Sequence, residues 1–394
     1  MKSGRKEFAS GVVCLFSGPG ELAELENDLS AKLRQENYSF ALLFFSKNHW
    51  NANDICELMR DTASDIPFAA CSTAGEITPD GISDGEIMVI LFPADMFDIQ
   101  PFEITREDTN NMQDVVSKVH AMKSAFFSET DESNPSYNFV ICLMDGMSYM
   151  EEAITAALHW GLDDIPLLGG SAGDSLDFNE TSLVLNGEIL EGNAIILQIK
   201  SRLPVEVFKT ENFVPTSKKL IVTESEPDKR IVHEFNGAPA AITYAEIIGT
   251  DPESLTPQSF ASHPLVVRVG GEYYCRSIQK VNDDGSLTFF CAIDDGIVLT
   301  VAEPTGMART TDSKMQDLKE SLGDIDFVLG FDCVLRQIDA RNRQVTHRIS
   351  KIYEENNIIG FNTYGEQYQS MHLNQTLTGV AFGKSTTQEL KNVS

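Results

Sequence analysis

Basic residues are scarce in this chain of 394 residues: 30 Lys and Arg stand against 59 Asp and Glu, a formal net charge of −29. A surface of that sign repels a phosphate backbone and an anionic bilayer, so nucleic-acid binding and membrane docking are excluded as expectations. No apolar run approaches the roughly 18 residues of a membrane helix. The basic start, MKSGRKEFASGVVCLF, superficially resembles a secretory leader, but its apolar stretch is short and runs into Gly18-Pro19-Gly20, so a first buried strand is expected. The seven cysteines are odd in number and scattered through apolar runs such as GVVCLF and FVICLM. With no C-x-x-C pair they read as buried reduced thiols, and a cytoplasmic location follows as the expectation. Charged residues at 23% and apolar residues at 42% are globular values, which leaves no case for general disorder.

What is present is a phrase written three times. An apolar run leads into a small or hydroxyl residue, then Gly, then a carboxylate: Thr73-Ala74-Gly75-Glu76, Ser171-Ala172-Gly173-Asp174 and Thr363-Tyr364-Gly365-Glu366. Recurrence implies a recurring structural unit. The simplest role for each copy is a tight strand-to-loop turn, with the acid capping a neighbour. The same residues also offer hydroxyls, N–H groups and carboxylates to a ligand.

Hydrophobic periodicity places strand, helix and strand ahead of each copy. In the first unit Phe40 to Phe45 and Phe68 to Ser72 read as strands, with a helix over Asp54 to Thr62; in the second, Phe139 to Met144 and Pro166 to Gly170 are strands around a helix over Tyr149 to Trp160. Thr181 to Leu185 and Ala194 to Ile199 alternate around Asn186-Gly187, a hairpin signal. The polar SETDESNPS, residues 128–136, reads as an exposed loop. A boundary is expected near Ser201 to Pro215, after which hairpins, a helix from Pro239 to Gly249 and a meander over Leu265 to Val301 precede a return to α/β order. The fold class expected is α/β, a two-domain protein with repeated strand-helix units and mixed sheets, its C-terminal domain carrying an inserted antiparallel meander.

Three phrases in order, LLGGSAGD, FNGAPAAITYAEIIG and GFNTYGEQ with the following MHLNQT, resemble the FIST sensory family over about Asn27 to Val380. The resemblance implies an N-terminal FIST domain over residues 1–200, a linker or crossing strand over 201–216 and a C-terminal FIST domain over 217–394. It implies a non-catalytic intracellular sensor that reports to a separate histidine kinase or to a diguanylate cyclase or phosphodiesterase, and that pairs as a homodimer. Chains of this length without an output domain are similar to the haem-binding nitric-oxide sensors called NosP. Under that resemblance haem b is the expected cofactor and nitric oxide the signal.

Haem needs an axial ligand in an apolar pocket and cations for its propionates. His372, beside Met371 and just past the third copy, is the first choice for the iron; His347 and His263 are the alternatives. Arg268, Arg276 and Arg309 are candidates for the propionates. A small metabolite such as an amino acid is the other ligand class: carboxylates of the copies would hold its ammonium group, and Gly N–H groups with Ser or Thr its carboxylate. The second and third copies are the expected contacts, through Gly169, Gly170, Ser171, Asp174, Thr363, Gly365, Glu366 and Asn374. Gly169-Gly170-Ser171-Ala172-Gly173 only approximates a nucleophile elbow and lacks a clear following helix, and the Gly-rich phrase lacks the Gly-Lys-Ser/Thr ending of a phosphate loop. The chain is therefore not expected to be an enzyme.

Overall fold

The computed structural model describes residues 3–127, 136–175, 177–192 and 194–384. The expected loop over 128–136 falls almost wholly outside them.

The architecture is mixed α/β and contains three equivalent units. The first comprises an edge strand β1 (Gly4–Glu7), β2 (Val13–Ser17), α1 (Leu22–Gln35), β3 (Tyr38–Ser46), α2 (Ala52–Thr62), β4 (Phe68–Thr73), a hairpin of β5 (Glu76–Thr78) and β6 (Gly81–Ser83), and β7 (Ile87–Pro93). The second repeats the order with β8 (Phe97–Ile104), α3 (Met112–Phe127), β9 (Tyr137–Met144), α4 (Glu151–Leu162), β10 (Leu167–Ser171), the hairpin β11 (Leu183–Leu185) and β12 (Glu188–Leu190), and β13 (Ala194–Ser201).

The third unit opens with β14 (Val205–Glu211), in the segment expected to be a linker or crossing strand. An insertion follows: β15 (Phe213–Glu226), β16 (Ile231–Phe235), β17 (Ala238–Pro239), α5 (Ala240–Ile248), α6 (Pro257–Ser262), β18 (Leu265–Val269), β19 (Glu272–Arg276), β20 (Ile278–Val281), β21 (Leu287–Phe289) and β22 (Val298–Pro304). The unit then resumes with α7 (Met307–Leu322), β23 (Ile325–Cys333), α8 (Val334–Asn342), α9 (Thr346–Glu355), β24 (Ile358–Thr363), the hairpin β25 (Glu366–Tyr368) and β26 (Met371–Leu373), and β27 (Thr376–Gly383).

Local sequence explains these elements. The nine residues of β3, YSFALLFFS, are almost continuously apolar because both faces are covered, as a strand in a parallel crossover requires. In α2 the Asn51 side chain accepts from the Asp54 N–H while the Asp54 side chain takes the Asn51 N–H, a reciprocal cap. Each unit pairs its two crossover strands in parallel, β3 with β4, β9 with β10 and β23 with β24, and returns an antiparallel strand alongside the first of them.

The hairpins exchange between units. That of the first unit extends β24, that of the third extends β10, and that of the second extends β4. The exchange closes a cycle, so the three sheets form a pseudo-threefold body whose inward faces share one core. Phe44 meets Phe361 with ring centroids 4.6 Å apart, and Phe382 meets Phe327 at 4.2 Å and Phe139 at 5.9 Å. Each such ring, fully buried, contributes roughly 1.5–3 kcal/mol from area alone. Helices cover the outer faces: α1 and α2, α3 and α4, α7 and α9. The insertion keeps its own core under α5 and α6 within a fourth, antiparallel sheet. Among the described residues, no helix is long and apolar enough to cross a membrane.

Candidate functional site

The three copies of the phrase meet one another at the strand ends. The Ala74 N–H donates to the Asn362 carbonyl at 2.9 Å and Asn362 N–H to Gly75 at 2.7 Å; Ser171 N–H donates to Gly365 at 2.8 Å; Gly173 N–H donates to Ser72 at 3.0 Å. A closed ring of backbone hydrogen bonds results, and the phrase's carboxyl groups cap donors close by. Glu76 accepts from the Thr73 hydroxyl at 2.5 Å and the Glu86 N–H at 3.1 Å. Glu366 does the same with the Thr376 hydroxyl, 2.7 Å, and its N–H, 3.3 Å. Asp174 accepts from the N–H groups of Phe178, Asn179 and Glu180 at 2.7–2.9 Å and from the Tyr364 hydroxyl.

The glycines serve the same packing. A Cβ on Gly169 would overlap the Cys142 carbonyl, and one on Gly170 would crowd Phe361, Phe331 and Thr363. Thr363 hands its hydroxyl to the carbonyls of Ser171, 2.8 Å, and Gly365, 2.7 Å. The anticipated ligand contacts at Gly169, Gly170, Asp174 and Thr363 are thus engaged in packing around the ring, and Glu366 caps Thr376 with one oxygen.

One junction differs from the other two. At the centre of each exchanged hairpin stands a cross-strand pair: Ile77 with Ile82, Val184 with Ile189, and Gln367 with His372. Two pairs are apolar, and the third is an amide and an imidazole, both buried. Gln367 Nε2 lies 2.9 Å from Ser171 Oγ and 3.2 Å from His372 Nδ1. Asn374 Nδ2 donates to the Tyr364 carbonyl at 3.3 Å, whereas Gln367 Oε1, Asn374 Oδ1 and Glu366 Oε1 are buried with no protein partner. Burying polar groups where the pseudo-equivalent positions are apolar costs stability. Burial holds the His372 imidazole down to about 4, so it stands neutral near pH 7; Glu152 pulls the other way and Arg230 and Arg276 add to the depression.

Facing this pair is the first turn of α4, over which the insertion closes. Arg230, at the start of β16, donates to Glu151 Oε2 at 2.5 Å, Glu152 Oε2 at 2.7 Å and the Phe290 carbonyl at 2.7 Å. The Ala292 N–H donates to Glu152 Oε1 at 3.1 Å. Burial pushes the Glu151 carboxyl upward against the pull of Arg230. Aromatic rings wall the cleft: Phe178 stacks on Tyr364 at 4.6 Å and tilts toward Phe290 at 5.6 Å. Three of its residues hold left-handed backbone angles that only Gly adopts freely, Tyr149 (φ +59°), Phe178 (φ +51°) and Arg230 (φ +57°). Such outliers concentrate at functional sites. The inner end, between Glu151, Arg230, Phe178 and Tyr364, is a void of about 10 Å³; Met147 and Tyr149 line both it and an outer cavity of about 520 Å³ that Asp145, Ser148 and Arg106 help to form.

The remaining sequence candidates disperse. Met371 is half-buried on β26 beside His372. His263 sits at the C-cap of α6 with Nδ1 3.3 Å from the Ser259 carbonyl, and His347 is exposed on α9. Arg268 is exposed and donates to the Gly271 carbonyl at 3.4 Å, and Arg309 is exposed on α7. Arg276 is half-buried, its Nη1 3.0 Å from the Cys275 carbonyl.

Haem does not fit at His372 in this arrangement. The Nε2 side of the ring abuts Gly365, whose added Cβ would stand 2.6 Å from Nε2, while Nδ1 is taken by Gln367. Amides and hydroxyls surround it, and a macrocycle needs an apolar cleft of several hundred Å³ against the iron ligand. The outer cavity has neither histidine nor cysteine in its lining. Among the described residues, no group of three or more His, Cys, Asp or Glu side chains could hold a metal ion, and the seven cysteines are free thiols, six of them buried.

Sequence reasoning missed Glu151, Glu152, Arg230, Gln367 and Tyr149. Comparing the copies position by position was the available signal: aligning Glu76 with Glu366 sets Ile77 against Gln367 and Ile82 against His372.

Two family models match the chain. The FIST N domain matches residues 39–238 and the FIST C domain residues 240–369, so the two matches adjoin inside the insertion, between β17 and α5. An uncharacterized protein of Methanocaldococcus jannaschii is 24% identical over 270 residues, covering 58% of this chain and 52% of its own. The chain therefore spans about half the length of that curated relative. Among solved structures, a chorismatase covers 94% of this chain and 98% of its own at TM-score 0.36 and 8% identity. PurLQS from Thermotoga maritima covers 98% and 75% at TM-score 0.17 and 10% identity, and at these scores neither likeness bears on function.

Proposed function

The chain belongs to the FIST family, whose domains are sensory, ligand-binding modules of signal transduction, and from that premise we propose that it senses a small polar metabolite bearing an amino group, such as an amino acid. The observation that carries this reading is the one polar junction of three, with buried Gln367 and His372 where the others hold Ile77–Ile82 and Val184–Ile189. Helix α4 packs against the hairpin strand that carries His372, and its Glu151 and Glu152 carboxylates suit an ammonium group, while the amide oxygens of Gln367 and Asn374 are uncommitted. A neutral imidazole at His372 adds a donor or acceptor without adding charge.

The ligand enters from the outer cavity past Tyr149 and Met147 and settles against the first turn of α4. Its contacts compete with those that hold the insertion there, so occupancy shifts the insertion between two positions and alters a surface read by another protein. A separate histidine kinase, or an enzyme that makes or breaks cyclic-di-GMP, is the class of partner this reading calls for.

The test is thermal melting of the purified protein with each of the twenty amino acids and simple amines, alongside an absorption spectrum after incubation with haem. The reading expects a melting shift with one ligand class that Glu152→Gln reduces at least tenfold in affinity. A Soret band that moves on reduction and with nitric oxide, together with silence across the amine panel, would overturn it in favour of haem sensing.

A further inference from the structure

The inner end of the cleft already holds a ligand-like group, and the chain itself supplies it. The Arg230 side chain is 5% exposed, and its guanidinium meets the carboxylates of Glu151 and Glu152, the Phe290 carbonyl and, 4.8 Å from the ring centroid, the face of Tyr149. Two carboxylates, a carbonyl and an aromatic face make a full recognition set for a planar guanidinium. Glu151, Glu152 and Tyr149 belong to the second unit, whereas Arg230 and Phe290 belong to the insertion. The contact therefore joins two separately cored parts of the molecule.

Three features distinguish this contact from a plain structural clamp. A buried ion pair of this kind adds little net stability over an apolar replacement, because desolvation offsets the attraction. Both sides of the cation–aromatic contact are held in strained backbone, φ +57° at Arg230 and φ +59° at Tyr149, which costs about 1–3 kcal/mol per residue. The inner void of about 10 Å³ also lies next to the outer cavity of about 520 Å³, the two sharing Tyr149 and Met147 as lining residues. A tethered group under strain, seated beside an outer cavity, is one that a free group of the same chemistry can replace.

We propose that Arg230 is an internal plug, and that the ligand of this site carries a guanidinium group, as free arginine or a related guanidino compound does. The ligand takes the place of the Arg230 guanidinium on Glu151, Glu152 and Tyr149. The insertion then loses its ionic hold on α4, which is the conformational output. The proposal rests on the reading of this cleft as a ligand site and narrows the ligand class. Because the plug occupies the site in the closed state, apparent affinity is reduced by the fraction of molecules that are open.

Titration calorimetry with L-arginine, and with L-citrulline as the uncharged analogue, at fixed ionic strength tests this on the full chain and on Arg230→Ala and Arg230→Ala/Glu151→Gln. The expected result is L-arginine binding to Arg230→Ala at least tenfold more tightly than to the wild type, no citrulline binding, and loss of arginine binding in the double variant. Methylguanidinium should also raise the melting temperature of Arg230→Ala more than sodium chloride does. If Arg230→Ala does not fold, Arg230→Lys, which keeps the charge but loses the fork, should bind L-arginine more tightly than the wild type. Equal arginine affinity in wild type and variant, equal binding of citrulline, or no binding to any variant would overturn the plug. A wild-type response to some other amino acid without any arginine preference in Arg230→Ala would sink the plug alone, whereas silence in both experiments would sink the amine-sensor reading with it.

Discussion

Gln367 and His372 face each other across the hairpin of the third unit, 3.2 Å apart at Nε2 and Nδ1, in the position that Ile77 and Ile82 occupy in the hairpin of the first. The Gln367 amide also reaches Ser171 Oγ in the second unit. An apolar pair would seal the junction at lower cost, so retaining two buried polar side chains there requires another reason. Their position against the first turn of α4, where Glu151 and Glu152 stand, supplies one.

That placement makes stability depend on pH. The folded state holds His372 at about 4, against an ordinary value of 6.5. Between those values the unfolded chain binds a proton that the folded chain does not, so stability falls as pH drops from 6.5 to 4 and is unaffected by this group above 6.5. Against a His372→Gln variant, the wild type should lose about 3 kcal/mol across that window. Urea unfolding of both proteins at pH 7 and pH 4.5 checks it; parallel pH profiles would refute the assignment.

Gly365 exists to admit the His372 ring. A Cβ there would overlap the ring, standing 2.6 Å from Nε2, and Asn374 Nδ2 would lie 3.3 Å away. Gly365→Ala should destabilise by about 1–3 kcal/mol as an overpacking change. Combining it with His372→Ala should recover much of that loss, because the clash partner is gone, giving a favourable coupling of at least 1 kcal/mol in a double-mutant cycle. Strict additivity in chemical denaturation would show that the two do not touch.

The α/β order was legible because doubly covered strands such as Phe40 to Phe45 and Phe139 to Met144 are continuous apolar runs, and the triple phrase exposed the repeat. The hairpins β5–β6 and β25–β26 escaped because three-residue strands carry no measurable period. Their exchange between units is a tertiary event with no local trace. The crossover after β23 is two short helices broken near Arg343, a break that periodicity alone does not reveal. Arg230 follows the turn Pro227–Lys229, and nothing in the chain between it and Glu151 signals that they meet. The phrase's carboxylates misled for a physical reason: a buried acid that caps N–H groups has the same sequence signature as one that awaits an ammonium group.

Asp174 tests that distinction. Its two oxygens serve three N–H groups and the Tyr364 hydroxyl, ordering the loop that carries Phe178 into the cleft wall. Asp174→Asn removes the charge from these bonds and turns one oxygen into a donor facing N–H groups, a loss of about 2–3 kcal/mol. Tyr364→Phe should cost less, about 1 kcal/mol, since three N–H bonds remain. Thermal unfolding ranks the two, and a larger loss in Tyr364→Phe would mean that the carboxylate does not organise the loop.

Glu76 carries the opposite pH signature from His372. Burial raises its carboxyl from 4.5 to about 8, although the Thr73 hydroxyl and the Glu86 N–H both favour the ionised form and the Asp84 and Glu86 charges oppose it. The folded chain therefore holds a proton that the unfolded chain has released between those values. The stabilisation is complete below pH 4.5 and is lost as pH rises to 8. Glu76→Gln keeps the shape and cannot ionise, so the variant should gain on the wild type by several kcal/mol, up to about 4–5, between pH 4.5 and 8.5. At pH 4.5 the two should differ by no more than about 1 kcal/mol, because a protonated acid and an amide fill the site alike. Denaturant midpoints measured at half-unit pH steps give the curve directly. A wild type that holds a constant margin over the variant through this range would place the ionised form in the folded protein and make Glu76 a charged cap instead of a buried neutral one.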